Sequence, residues 1–256
     1  MRNLKAVFKK QLKITLKNPE TLIQFIIYPV LAWAILWFMT MDYEAYAGYV
    51  TAEAQAAIDN MIDAINAAMP NMVTMQATIF AGMALIPVVA AVLAEDIEKK
   101  RLRFLSMAGV KPASYLIGIS GVMLLASLGT SFAFSWISGF RGADLWVFMG
   151  AMMGGVVVSI IIGAMIGMLT KNLQSAQGLA MPFGLVLGFG PFISQFNDRA
   201  ATVLHPLFTQ QINVVADILD GRNDAPLWQS FAIIGANAVV FGVLFAIVCK
   251  KKGIKG

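Results

Sequence analysis

Six long stretches of this sequence carry no charge, and that absence constrains the fold more than any motif does. The 19 basic and 14 acidic residues fall in short clusters. At 1.5 Å per residue, a helix of about 20 apolar residues crosses the roughly 30 Å hydrocarbon core of a bilayer. The first stretch covers residues 21–41, and the second lies between Asp63 and Glu95, best placed at 72–94. The third and fourth lie between Lys111 and Arg141 and between Asp144 and Lys171; the fifth lies between Lys171 and Asp198, and the sixth covers 227–249. Each predicts a transmembrane helix, because an unclosed strand would leave its backbone groups unpaired in lipid. Pro182 and the Gly190-Pro191 pair predict that the fifth is short or broken, leaving open whether it crosses fully or turns back. The expected fold is therefore all-α, a polytopic membrane protein in which residues 1–256 form one six-helix transmembrane domain.

Composition excludes the soluble alternative. Hydrophobic residues make up 59% of the chain and charged residues 13%, where soluble domains have about 45–50% and about 25%. One cysteine and one histidine supply neither a disulfide framework nor the ligands of a zinc centre.

Basic residues accumulate on the cytoplasmic side of membrane proteins. With the N-terminus inside, residues 1–20, 95–112, 171–177 and 250–256 are cytoplasmic and hold 16 of the 19 Lys and Arg residues. The outer side keeps Arg141, Arg199 and Arg222 against ten acids. Both termini are thus expected in the cytoplasm, with the protein in the plasma (inner) membrane. The same distribution removes nucleic acid as an expected partner, since the positive charge forms the inner rim of a bilayer protein. The first apolar run follows a long basic stretch and reads as a retained anchor, not a cleavable signal.

Outside the spans, Leu4, Val7, Phe8, Leu12 and Leu16 recur at helical spacing among six bases. Residues 1–20 therefore predict a basic amphipathic helix at the inner headgroup boundary, anchoring the first span, with contact to a cytoplasmic partner also compatible. Extracellular segments are expected at 42–71, which has five acids and no base, and at 197–226, where Leu207, Gln211, Val214 and Ile218 follow a helical period. His205 begins that period and reads as a structural or capping residue. The cytoplasmic loop at 95–112 places Glu95, Asp96 and Glu98 before Lys99, Lys100, Arg101 and Arg103, with Leu102, Phe104, Leu105 and Met107 among the bases. Such an apolar cluster needs a cover: either the protein's own helix ends or a groove on another protein.

No acid, lysine, arginine or histidine lies within the six spans as drawn, which argues against a proton-driven carrier. No Ser–His–Asp order, H-E-x-x-H or G-x-x-x-x-G-K-[ST] stands in the sequence. The chain is not expected to be an enzyme or to bind a cofactor. The fourth span carries Gly150 to Gly154 and Gly163 to Gly167, the spacing that lets helix backbones approach closely, read first as packing within the chain.

Taken in order, these pieces resemble a known family. A basic amphipathic helix precedes the first span; A-E-D-I-E followed by L-R-F-L follows the second; Gln174-Ser175-Ala176-Gln177 leads into the fifth; H-P-L-F-T-Q-Q precedes the sixth, which ends in a lysine tail. The chain is similar to the membrane subunits of type 2 ABC transporters, six-helix permeases that pair with a separate ATPase. The resemblance implies that 95–112 is a coupling loop, in which Glu98, Arg101, Leu102, Phe104, Leu105 and Met107 meet the nucleotide-binding subunit. It implies ATP and Mg bound by that partner, two permease copies with two ATPases, and a path near the first and fifth spans for which Gln24, Phe25, Tyr28 and Phe183 are candidates. The chain departs from the family where Gly-Thr often follows the Glu, here Lys100-Arg101, and where Asn usually precedes the Pro, here His205. A hydrophobic or amphipathic cargo, such as an antimicrobial peptide or an antibiotic, suits spans free of fixed charge. The alternative is a membrane scaffold or sensor that recruits a cytoplasmic protein through residues 95–110 and moves nothing.

Overall fold

The computed structural model describes residues 2–17, 19–39, 56, 59–60, 63, 72–101 and 112–251, and every regular element among them is helical. The elements are α1 (Arg2–Lys17), α2 (Pro19–Met39), α3 (Met72–Glu98), α4 (Pro112–Ile137), α5 (Gly142–Leu169), α6 (Leu173–Ser194), α7 (Asp198–Leu204), α8 (Phe208–Leu219) and α9 (Leu227–Lys251). Six of these, α2, α3, α4, α5, α6 and α9, are long and apolar enough to cross a membrane. Most of segment 42–71 and residues 102–111 lie outside the described residues, and with them Leu102, Phe104, Leu105 and Met107.

In lipid the hydrophobic effect does not draw helices together, so they associate where small residues allow close contact. A methyl group on Gly163 would meet Ile86 O at 2.7 Å, and one on Gly167 would meet Ala90 O at 2.7 Å. These two glycines seat α5 against α3. Gly150 faces Phe231 and Gly154 faces Ile234, seating the other half of α5 on α9. Both small-residue pairs thus serve packing within the chain. The matched numbering also sets direction: α3, α5 and α9 run the same way. In contrast Gly184 lies beside Met83 and Gly188 beside Ile79, so α6 runs opposite to α3. The helix α3 is the most deeply buried of the six, and α2 and α9 are the least.

One turn of α3 is widened to a π-helix at Phe80–Ala84. Such a turn disturbs the regular i to i+4 pairing of carbonyls. The Ser159 hydroxyl of α5 donates to Ala81 O at 2.6 Å and takes up one of them. At the same turn Gly82 touches α6, where an added methyl would stand 2.5 Å from Gly188 N. On its other side Phe80 holds Phe25 and Tyr28 of α2 and Phe134 of α4, with ring centroids 5.7–6.0 Å apart.

The amphipathic α1 packs on α4: Val7 is buried, and a methyl on Gly118 would collide with its Cγ1 at 2.6 Å. The helix α6 continues unbroken through Pro182 and Pro191. Near its end the Ser194 hydroxyl donates to the Gly190 and Pro191 carbonyls at 3.1 and 2.8 Å, helping to satisfy a last turn weakened by proline. Residues 198–219 form a helical hairpin that folds back into the bundle. Phe208 and Ile212 of α8 press on Gly155, at the middle of α5. At its tip, Asn237 Nδ2 donates to Pro206 O at 2.8 Å, and Asn237 stands about 15 Å along α9 from Leu227. The helical period read at 208–219 is therefore real, and its apolar face is covered by α5 and α9.

Candidate functional site

The basic ends of α2, α3 and α6 meet around a cavity of about 100 Å³. Its polar wall is Thr21 and Gln24 of α2, Glu95 of α3 and Gln177 of α6, and its apolar wall is Pro87, Val88, Ala91 and Val92 of α3. The Gln24 Oε1 is buried there with no hydrogen-bond partner among the described residues. A buried carbonyl in that state is costly.

The last turn of α3 carries three carboxylates with three different tasks. Asp96 is 5% exposed and accepts hydrogen bonds from the Tyr115 hydroxyl of α4 and from Arg101 Nη1, the latter at 2.7 Å. Glu95 pairs with Lys99 at 2.5 Å and stands 3.8 Å from Arg101. Glu98 reaches across to α6, where its Oε2 accepts from Leu173 N at 2.9 Å. Leu173 is the first residue of α6, so this carboxylate caps a helix start, where the unpaired N–H groups and the positive end of the helix dipole favour an anion. Asn172 caps the same helix from within, accepting from Ser175 N at 2.8 Å. Leu173 also lines the Gln24 cavity. The carboxylate that closes α3 therefore holds one wall of the cavity in place.

Lys100 ends α3 with φ at +55°, a left-handed cap usually given to glycine. His205 closes α7, where its N–H donates to Ala201 O at 2.9 Å and its carbonyl accepts from Gln211 Nε2.

The residues read from sequence separate into distinct places. Glu98 and Arg101 both lie at the end of α3, Arg101 on Asp96 and Glu98 on Leu173 N, while Gln24 lines the cavity that Leu173 also borders. Phe25 and Tyr28 turn away toward Phe80, and Phe25 is buried. Phe183 lies elsewhere, in an apolar cavity of about 360 Å³ shared with Pro182, Val186, Leu187, Leu207 and Phe241. Sequence reasoning did not find the Asp96–Tyr115 contact; the usable signal was an acid flanked by Leu93, Ala94 and Ile97, whose burial demands a partner. Among the described residues no group of His, Cys, Asp and Glu could hold a metal ion.

Neither a protein-family model nor a curated protein matches the chain.

Proposed function

We propose that this chain is the membrane-spanning subunit of an ATP-driven exporter. It works as two copies with two separate ATPase subunits and moves a hydrophobic or amphipathic cargo, such as a peptide or antibiotic, out across the plasma membrane. ATP and Mg belong to the partner. The observation that carries this reading is the bond from Glu98 to Leu173 N. The segment after Glu98 leads directly into residues 99–111, the stretch that resembles a coupling loop. A push on that stretch pulls on the start of α6 and changes the width of the cavity around Gln24. Glu98 is thus a positioning residue: its own interaction is modest, but it joins the driven segment to the path.

Co-reconstitution with the cognate ATPase in liposomes tests the reading. Replacing Phe104 and Leu105 with Asp is expected to abolish cargo-stimulated ATP hydrolysis, because two apolar anchors would lose at least ~2 kcal/mol of interface energy. Glu98→Ala is expected to leave basal hydrolysis in place while cargo movement falls. If the purified chain is fully functional with no ATPase bound, or the Phe104/Leu105 variant is stimulated as before, the reading is wrong.

A further inference from the structure

A third and larger cavity, of about 440 Å³, lies toward the other end of the bundle from the Gln24 cavity, between the last turn of α6 and the hairpin helix α8. Its volume falls in the roughly 300–1,000 Å³ range of small-molecule sites. The helix α8 has two unlike faces. Phe208, Ile212 and Val215 form the buried apolar one, while Gln210, Asn213 and Asp217 line the cavity from the opposite side. Ser194 and Gln195 face them from α6, and Arg222 and Asn223 close the rim from the loop that follows α8.

Two properties of this lining select a ligand. The first is its charge balance: Asp217 and Arg222 are paired at 2.8 Å, and Arg222 also meets Asp220, just outside the lining, at 2.8 Å, so one acid is in excess and an anion is disfavoured. The second is the density of primary carboxamides, at Gln195, Gln210, Asn213 and Asn223. Each carboxamide both donates and accepts, as a hydroxyl does. The Gln210 carboxamide lies 2.8 Å from the Ser194 hydroxyl. Asn213 is 6% exposed, and its Oδ1 has no hydrogen-bond partner among the described residues. That Oδ1 is itself shut off from the cavity space, so a ligand reaches this amide by turning its side chain.

We propose that this cavity binds a neutral polyhydroxyl group, a sugar-type ring whose hydroxyls pair with the carboxamides of Gln210, Asn213 and Asn223. The site requires neither an ATPase nor a cargo, so it is independent of the transport reading. The ring can arrive free in solution or as the headgroup of a glycolipid.

The full chain in phosphatidylcholine nanodiscs tests both sources. In one arm, titration calorimetry uses methyl glucoside, N-acetylglucosamine and myo-inositol as probes, with glucose 6-phosphate as the charged counterpart. In the other, nanodiscs containing glucosyl diacylglycerol are examined by native mass spectrometry for retained lipid. Saturable binding of at least one neutral ring is expected, at least ten-fold tighter than glucose 6-phosphate and at least ten-fold weaker in Asn213→Leu and Gln210→Leu. Retention of the glycolipid alone supports the site and assigns its source to the membrane. Asn213→Leu keeps the branched outline and removes the orphaned carbonyl, so it is expected to melt no lower than the wild type while losing the ligand; Asn223→Ala on the rim replaces it if it does not fold. The proposal is overturned by absence of binding to every neutral probe in both arms, by equal binding of glucose 6-phosphate, or by binding that all these substitutions leave unchanged.

Discussion

Lys100 adopts a backbone conformation that disfavours any side chain with a Cβ. Lys100→Gly is expected to raise stability by about 1 kcal/mol, reduced somewhat by the greater freedom of glycine in the unfolded chain. Thermal unfolding of the purified protein measures it, and an unchanged or lower melting temperature would count against the strained cap. Asp96 is the opposite case, a buried carboxylate whose every contact matters. Tyr115→Phe removes one charge-assisted hydrogen bond from it and is expected to lose about 1.5–3 kcal/mol. A loss under about 0.5 kcal/mol would mean that Arg101 alone satisfies the carboxylate. The charge of Asp96 was plain in the sequence, but its partner stands 19 residues away on another helix, and no local pattern points to it.

At the scale of elements, α3 and α6 meet closely at Gly82 and Gly188. Gly82→Ala would force a methyl to 2.5 Å from Gly188 N, where neither backbone can give way. A loss of about 3 kcal/mol is expected, at the upper end of overpacking effects. Gly178→Ala, with nothing within 4 Å, serves as the control and should be neutral or slightly stabilising. The hairpin helix α8 carries a pH dependence. Burial raises the Asp217 and Asp220 carboxyls above their ordinary value, and the nearby Arg222 offsets only part of it. A carboxyl raised in the folded state gives stability that is complete below the unfolded value and is lost as pH rises through the folded one. Melting temperature should therefore fall from about pH 4 upward through these two groups, and the Asp217→Asn/Asp220→Asn variant should show a flatter profile than the wild type. Equal slopes in both would remove these carboxyls as the cause. Periodicity foretold α8 as a helix because one face is apolar. Its depth depends on Gly155, which leaves room for Phe208 and Ile212 at the middle of α5, and sequence alone does not pair those residues.

For the whole molecule, the 16-to-3 split of basic residues sets the expected orientation. In a Cys249→Ser background, a membrane-impermeant maleimide added to intact cells should label Arg141→Cys and spare Lys171→Cys; the reverse pattern would invert the topology. The sequence by itself determined the solvent, the six long apolar stretches and the all-helical class. Each of these follows from a one-dimensional quantity, the length of chain between charges, measured against the thickness of lipid. Only the tertiary structure decided which residues share a site. Glu98 meets Leu173 across 75 positions of chain, Gln24 faces a cavity while its neighbour Phe25 turns into the core, and Asn213 is left without a partner. Inside a bilayer, lipid-facing and protein-facing positions are equally apolar, so hydropathy does not tell one side of a helix from another. The close approaches permitted by Gly82, Gly163, Gly167 and Gly188 make that choice, and they exist only once the helices have met.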